Sequence, residues 1–213
     1  MRGEAAIIIL GAGGHAKVLI EALLASSAVI KGIVDSNPTL AGSRILGVPV
    51  LGGDDVVDEF TPSQIRLVNG VGSIGLPILR QRLYERFKVS GYDFATVIHP
   101  SAVVASDVIL GEGAQIMAGA VIQPGCHIGI NSIINTRASV DHDSIVGEHV
   151  HVAPGVTMSG CVKIGMGSHI GTGATLIQGK SIGRGCLVAA GAVVTKDIAD
   201  GAMVRGVPAR EFA

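Results

Sequence analysis

From Ile98 to Val194 an aliphatic side chain returns at every sixth position without a break. The series is Ile98, Val104, Leu110, Ile116, Ile122, Ile128, Ile134, Val140, Val146, Val152, Met158, Ile164, Ile170, Leu176, Ile182, Val188 and Val194, seventeen positions in all. Two places before the aliphatic residue stands mostly a small one (Ala102, Ala114, Ala120, Ser132, Ala138, Ser168, Ala174, Ala192), and the place after it is often Gly. A six-residue period belongs neither to a helix nor to one alternating strand. It marks a hexapeptide repeat, each hexad one short strand plus a turn, whose aliphatic residues stack into a narrow core. Three hexads close one triangular coil, so the stretch predicts a parallel β-helix of five to six coils with no extruded loop.

Before Ile98 the pattern is different. Short apolar runs at Ile7 to Leu10 and Ile30 to Val34 flank a helical stretch from His15 to Leu24, with further strands expected near Ile65 to Val68 and Phe94 to Val97. This is a βαβ, Rossmann-like α/β pattern. Between Leu76 and Lys88 the spacing of Ile78, Leu79, Leu83 and Phe87 predicts an amphipathic helix covering one face of the small sheet. The expected organisation is an α/β domain over 1–97, a β-helix domain over 98–198 and a tail over 199–213 packed on the end of the β-helix.

Composition narrows the picture. Of 213 residues 48% are hydrophobic, but only 3% are aromatic, Trp is absent and Gly numbers 31, so the core must come from small and β-branched side chains. A net charge of -1 offers no global attraction to nucleic acid or an anionic membrane, which leaves small molecules or proteins as partners. The apolar run Ala5 to Leu10 is too short to cross a bilayer and leads straight into a glycine turn, so it reads as a strand, and a cytoplasmic location is the expectation. Cys126, Cys161 and Cys186 show no metal-type spacing and read as reduced and structural, with no metal expected.

Two places carry candidate chemistry. His142 follows the core residue Val140 by two positions, which puts it at a coil corner facing outward, and Asp143 beside it can hold one ring nitrogen and fix the tautomer. Such a pair suits a general base, although a solvated turn histidine beside a solvated aspartate has the same local signature. The turn GAGGHAKV at 11–18 follows a strand and opens a helix, so its N–H groups form a phosphate cradle. Ala16 stands where a full dinucleotide fingerprint has its third glycine, and Asp35 about twenty residues on fits a ribose in either kind of nucleotide site. A glycine turn used only for tight packing remains the alternative. His151 precedes the core Val152 and points out of a coil face, with His169 stacked above it three hexads later.

Taken together, GAGGHAKV at 11–18, VDSNP at 34–38, VIHPSAVV at 97–104, INTRASVDHDSIVGEHVHVAPGVTMSG at 134–160 and VVTKDIADGAMVRGVPAR at 193–210 resemble the bacterial hexapeptide-repeat sugar acyltransferases. That family includes sialic-acid O-acetyltransferases and N-acetyltransferases of nucleotide-linked amino sugars such as bacillosamine and perosamine. The resemblance implies a left-handed β-helix, a homotrimer with sites between subunits, and acetyl-CoA as co-substrate. It implies His142 as the base followed by its acidic partner Asp143, Asn135 in the same pocket, and His151 in contact with acetyl-CoA. The pantetheine arm is expected near Gly173, Ala190 and Gly191, and Lys196, Arg205 and Arg210 are candidates for the carrier's phosphates. Gly13, Gly14 and His15 are expected near the sugar-phosphate, with Asp35 and Ser36 near the nucleoside. Arg137 stands where relatives often have a small residue. The implied activity is acetylation of the amino group of a nucleotide-linked deoxyamino sugar, such as GDP-perosamine or a UDP-bacillosamine precursor. O-acetylation of a sialic acid and a non-catalytic nucleotide-sugar-binding scaffold are the alternatives.

Overall fold

The computed structural model describes residues 5–212. Strands β1 (Ala6–Leu10), β2 (Ile30–Val34), β3 (Arg44–Ile45), β4 (Val48–Gly52) and β5 (Ile65–Asn69) form a sheet in the order β3-β4-β2-β1-β5. The central β1 pairs in parallel with both β2 and β5, and its residues Ile8, Ile9 and Leu10 are fully buried, as an uninterrupted apolar run requires of a strand covered on both faces. Helix α1 (Gly14–Ala25) covers one face with Ala16, Leu19, Ile20, Ala22 and Leu23. Helix α2 (Ile78–Val89) lies against β5 on the other.

The expected strands and helices are present, with two differences. Phe94 forms only a single bridge to Leu67, and the hairpin of β3 and β4 was not anticipated. The face of α2 also differs. Ile78 and Leu79 are 52% and 62% exposed, whereas Arg80, Tyr84 and Phe87 are buried and Leu83 is partly so. The reason lies across the domain junction: the Tyr84 hydroxyl donates to Glu112 at 2.9 Å, and Arg80 finds three backbone carbonyls. Those partners outweigh two aliphatic side chains at the exposed start of the helix.

From Val97–Ile98 to Val193–Val194 run seventeen two-residue strands, one per hexad. Each pairs in parallel with the strand one coil away, as in the column Gln115, Ile133, His151, His169, Leu187. Three flat faces result, and the chain winds as the left-handed parallel β-helix expected of its repeat. The aliphatic residues from Ile116 onward fill the prism, each burial contributing about 1.5–3 kcal/mol. Glycine after the aliphatic position has a steric cause. A Cβ on Gly129 would come 2.5 Å from the carbonyl carbon of Gly147 one coil on, leaving room for hydrogen alone.

Ile98 departs from the pattern, being 41% exposed because it lies at the open end of the prism. Its neighbour Val97 is buried instead, in the cluster that includes Leu19, Ile20, Met117 and Ile133. At the other end a strand at Met203–Arg205 adds in parallel to Leu187–Val188, and Arg210–Glu211 folds back antiparallel on it. The tail thereby covers a sheet edge that would otherwise invite further pairing. Cys126 and Cys186 are buried, their thiols donating to the carbonyls of Asp141 and Ala199. Cys161 is not a structural cysteine of that kind. It stands exposed at a corner with φ 59°, where its side chain projects from the coil. No helix among the described residues is long and apolar enough to cross a membrane.

Candidate active site

A cavity of about 1010 Å³ opens between the glycine turn of the α/β domain and the β-helix face that carries His151. Helix α1 begins in its wall. Gly13 caps it without any side-chain hydrogen bond, and a Cβ on Gly13 or Gly14 would meet nothing within 4 Å. The first N–H groups and the positive end of the helix dipole are therefore available to an anion. Asp35 also lines the cavity, its two carboxylate oxygens accepting from the N–H groups of Ala12 at 2.7 Å and Asn37 at 2.8 Å. Ser36 is exposed and does not line it.

The imidazoles of the cavity are held neutral. Gln115 donates its amide to the Asn69 carbonyl, so its Oε1 accepts from His15 Nε2 at 2.7 Å and leaves Nδ1 of His15 as an acceptor. Burial and the nearby Arg80 charge push the His15 pKa down to about 4. Asn135 is oriented by the Thr136 N–H, which donates to its Oδ1 at 2.8 Å. Its amide nitrogen then donates to His151 Nε2 at 3.0 Å, and Nδ1 of His151 donates to Ser73 Oγ at 2.8 Å. Burial, with the nearby Arg80 charge and the unfavourable pairing of its imidazolium with any charge on His169 or His15, lowers the His151 pKa to about 3. His169 packs edge-on at 4.9 Å between ring centroids, also on the cavity wall, and its buried Nδ1 has no partner among the described residues. Neither His151 nor His169 is a surface histidine.

Arg80 lies behind the cavity wall and places a buried positive charge near His15 and His151, and nothing local in the sequence pointed to it. It is 1% exposed and donates to the carbonyls of Asn69 at 2.7 Å, Val71 at 2.9 Å and Asn131 at 3.2 Å, with no carboxylate partner among the described residues. Burial lowers its pKa to about 9, which leaves it protonated at neutral pH. It thereby fixes the loop after β5 that carries Ser73 to His151. Gln115, Asn69 and Ser73 were likewise missed. Their partners lie far away in the chain, so no local spacing relates them.

His142 stands elsewhere. It occupies the corner between the strands Ser139–Val140 and Ile145–Val146, opposite the face that carries His151, and it does not line the cavity. Its Nδ1 lies 2.8 Å from Asp143 Oδ2, and that hydrogen bond raises the imidazole pKa. The ring passes over Gly160, where a Cβ would come 2.5 Å from Nε2. Asn135 and His142 are thus not joined in one pocket of a single chain. Asn135 belongs with His151. Of the residues expected along the pantetheine arm, Ala190 lines the cavity while Gly173 and Gly191 do not. Lys196 and Arg210 border a separate small cleft with Asp197 and Glu211, Arg205 stacks on Phe212 at 4.8 Å, and Arg137 is exposed at a corner.

Residues 6–87 match the family model of the PglD N-terminal domain. UDP-N-acetylbacillosamine N-acetyltransferase of Bacillus subtilis is 37% identical over 116 residues, which span 53% of this chain and 51% of that protein, about half the length of each. Among solved structures, a histidine-to-asparagine variant of perosamine N-acetyltransferase from Caulobacter crescentus, in complex with CoA and GDP-perosamine, superposes with a TM-score of 0.92 at 39% identity, covering 99% of this chain and 98% of that one. The acetyltransferase domain of PglB from Neisseria gonorrhoeae, in complex with acetyl coenzyme A, gives 0.91 at 36% identity over 99% and 100% of the two chains. With likeness of that extent across both domains, the chain belongs to the bacterial hexapeptide-repeat sugar acyltransferases of the bacillosamine and perosamine N-acetyltransferase type.

Proposed function

We propose that the protein transfers an acetyl group from acetyl-CoA to the amino group of a nucleotide-linked deoxyamino sugar. The observation that carries this reading is the cavity itself, which joins an uncapped helix N-terminus and Asp35, suited to a nucleotide diphosphate, to a β-helix face with neutral imidazoles. The nucleotide sits on Gly13, Gly14 and Asp35, and the sugar reaches toward His15 and His151. The acyl carrier runs along Gly171, Thr172, Ala189 and Ala190, whose small side chains leave backbone groups open to its amides.

The amine's lone pair attacks the thioester carbon, and His142 Nε2 takes the amine proton while Asp143 holds Nδ1. The tetrahedral intermediate then collapses, the carbon–sulfur bond breaks, and CoA leaves. Donors near the developing oxyanion lower that barrier. Because His142 stands opposite the cavity on its own chain, the complete site needs a second copy, whose His142 corner faces this cavity. A homotrimer of triangular prisms supplies that arrangement three times over. A reaction drawing on acetyl-CoA and a sugar nucleotide belongs in the cytoplasm, where both are made.

The test is CoA release from acetyl-CoA with GDP- and UDP-linked amino sugars and with free sialic acids. Release with a nucleotide-linked amine supports the reading. Release with sialic acid alone supports O-acetylation, and nucleotide binding with no release supports a scaffold.

A further inference from the structure

Asp143 and Cys161 stand at equivalent positions of successive coils, and both adopt left-handed backbone at the same corner, with φ of 58° and 59°. Stacked coils rise by about 4.8 Å, so the thiol projects directly above the carboxylate. The Cys161 N–H donates to the His142 carbonyl at 2.8 Å, which locks the two corners in register. One ligand atom each from His142, Asp143 and Cys161 lie within 4.8 Å of one another. Glycine at 160 leaves the space that the imidazole edge occupies. Of the three cysteines, this is the one that is not buried.

We propose that His142, Asp143 and Cys161 form a binding site for a borderline-soft divalent cation such as zinc, and that its occupancy blocks acetyl transfer. The ligand set of imidazole, thiolate and carboxylate is the one zinc selects over magnesium or calcium. Zinc–sulfur and zinc–nitrogen distances of about 2.3 and 2.0 Å put neighbouring ligands about 3.5 Å apart. The side chains of His142 and Asp143, 50% and 65% exposed, can rotate to close that gap while the β-helix holds their backbones. A fourth position stays open to water. On binding, the thiol gives up its proton and a sulfur–zinc bond forms, while the imidazole lone pair is taken by the metal. An imidazole bound in this way cannot accept the amine proton. The blocking half of the proposal rests on His142 as the base; the site itself does not.

Cobalt(II) is the probe for the site, since a thiolate ligand gives it an intense ultraviolet charge-transfer band. The purified full chain titrated with cobalt should develop that band, zinc should abolish it, and Cys161→Ser should not show it. In the acetyl-transfer assay Cys161→Ser should keep the basal rate, while the zinc concentration needed for inhibition rises by at least about 10- to 100-fold, since a direct ligand counts for no less than the outer-shell groups whose loss has that effect. A chelator should restore the wild-type rate. Absence of the band, or equal zinc inhibition of Cys161→Ser, overturns the site. A band without inhibition overturns the block and counts against His142 as base. If no acceptor supports transfer, the cobalt titration still decides the site.

Discussion

Asn135 donates to Nε2 of His151 at 3.0 Å, and this one hydrogen bond fixes the tautomer of that ring. Because the Thr136 N–H occupies the Asn135 carbonyl oxygen, only the amide nitrogen can face the ring, and the ring must present a lone pair there. His151 is therefore the Nδ1–H tautomer. Its charged form would turn a second N–H toward the Asn135 donor, while Nδ1–H keeps its bond to Ser73 Oγ. Replacing Asn135 with Asp puts a carboxylate against the same nitrogen, and the His151 pKa, held at about 3, should rise toward or above the ordinary 6.5. Histidine NMR titration of Asn135→Asp reads this directly. An unmoved resonance would refute the tautomer assignment.

The depressed imidazoles make stability pH-dependent in a defined direction. His15 and His151 are neutral in the folded chain down to about 4 and 3, yet protonate near 6.5 once unfolded. Between those values the unfolded state binds more protons, so stability is lost as pH falls below about 6.5 and continues to fall to about 4. Two such groups correspond to a slope of about 2.7 kcal/mol per pH unit near pH 5. Chemical denaturation between pH 7 and pH 5 should show it, and the slope should roughly halve in His15→Gln.

Activity should carry the opposite signature of a raised pKa. The Asp143 hydrogen bond raises the His142 pKa above 6.5, and the base role proposed for His142 requires it unprotonated, so on that proposal the rate should fall on the acid side of that pKa. Asp143→Asn removes the cause and should move this acid limb of kcat/KM to lower pH. His142→Asn should cost about 10²- to 10⁴-fold in kcat. A loss below about 10²-fold would mean that the amine binds already neutral.

Most of the scaffold was legible in the sequence because every hexad announces itself locally. Val140 needs only its own turn and its counterparts in the neighbouring coils to find its place, and the same period marks Gly129 as a point of backbone contact. The end residue Ile98 broke the rule because it has no coil beneath it. The site was less legible. The His142–Asp143 pair and the glycine turn are local and could be read. Gln115, Ser73 and Arg80 act through partners distant in the chain, so periodicity carries no trace of them. Arg80 was hidden by its own helix, where Ile78 and Leu79 offered the more hydrophobic face and the domain junction selected the polar one.

Arg80→Met tests that selection. It removes three hydrogen bonds and leaves the carbonyls of Val71 and Asn131 without their side-chain donor, each worth about 1 kcal/mol or more, while Asn69 keeps Gln115, and it should lower stability by roughly 2–4 kcal/mol. Its loss also removes a positive charge from behind the cavity wall, so His15 and His151 should titrate at higher pH than in the wild type. Arg80→Lys keeps the charge and should preserve the low values. Identical titrations in the Met and Lys variants would show that the charge does not reach the cavity.

The central claim is that the His142 of one subunit works on the cavity of another. Co-expression of His142→Asn with Gly13→Glu, a variant whose added carboxylate repels the diphosphate at the start of α1, tests it most directly, with CoA release on a GDP-linked amino sugar as the measurement. Each variant alone should be nearly inactive. Random mixing of equal amounts should give about a quarter of the sites an intact base and an intact cavity, and that fraction of wild-type activity should return. No recovery above the separate variants would contradict a site shared between subunits.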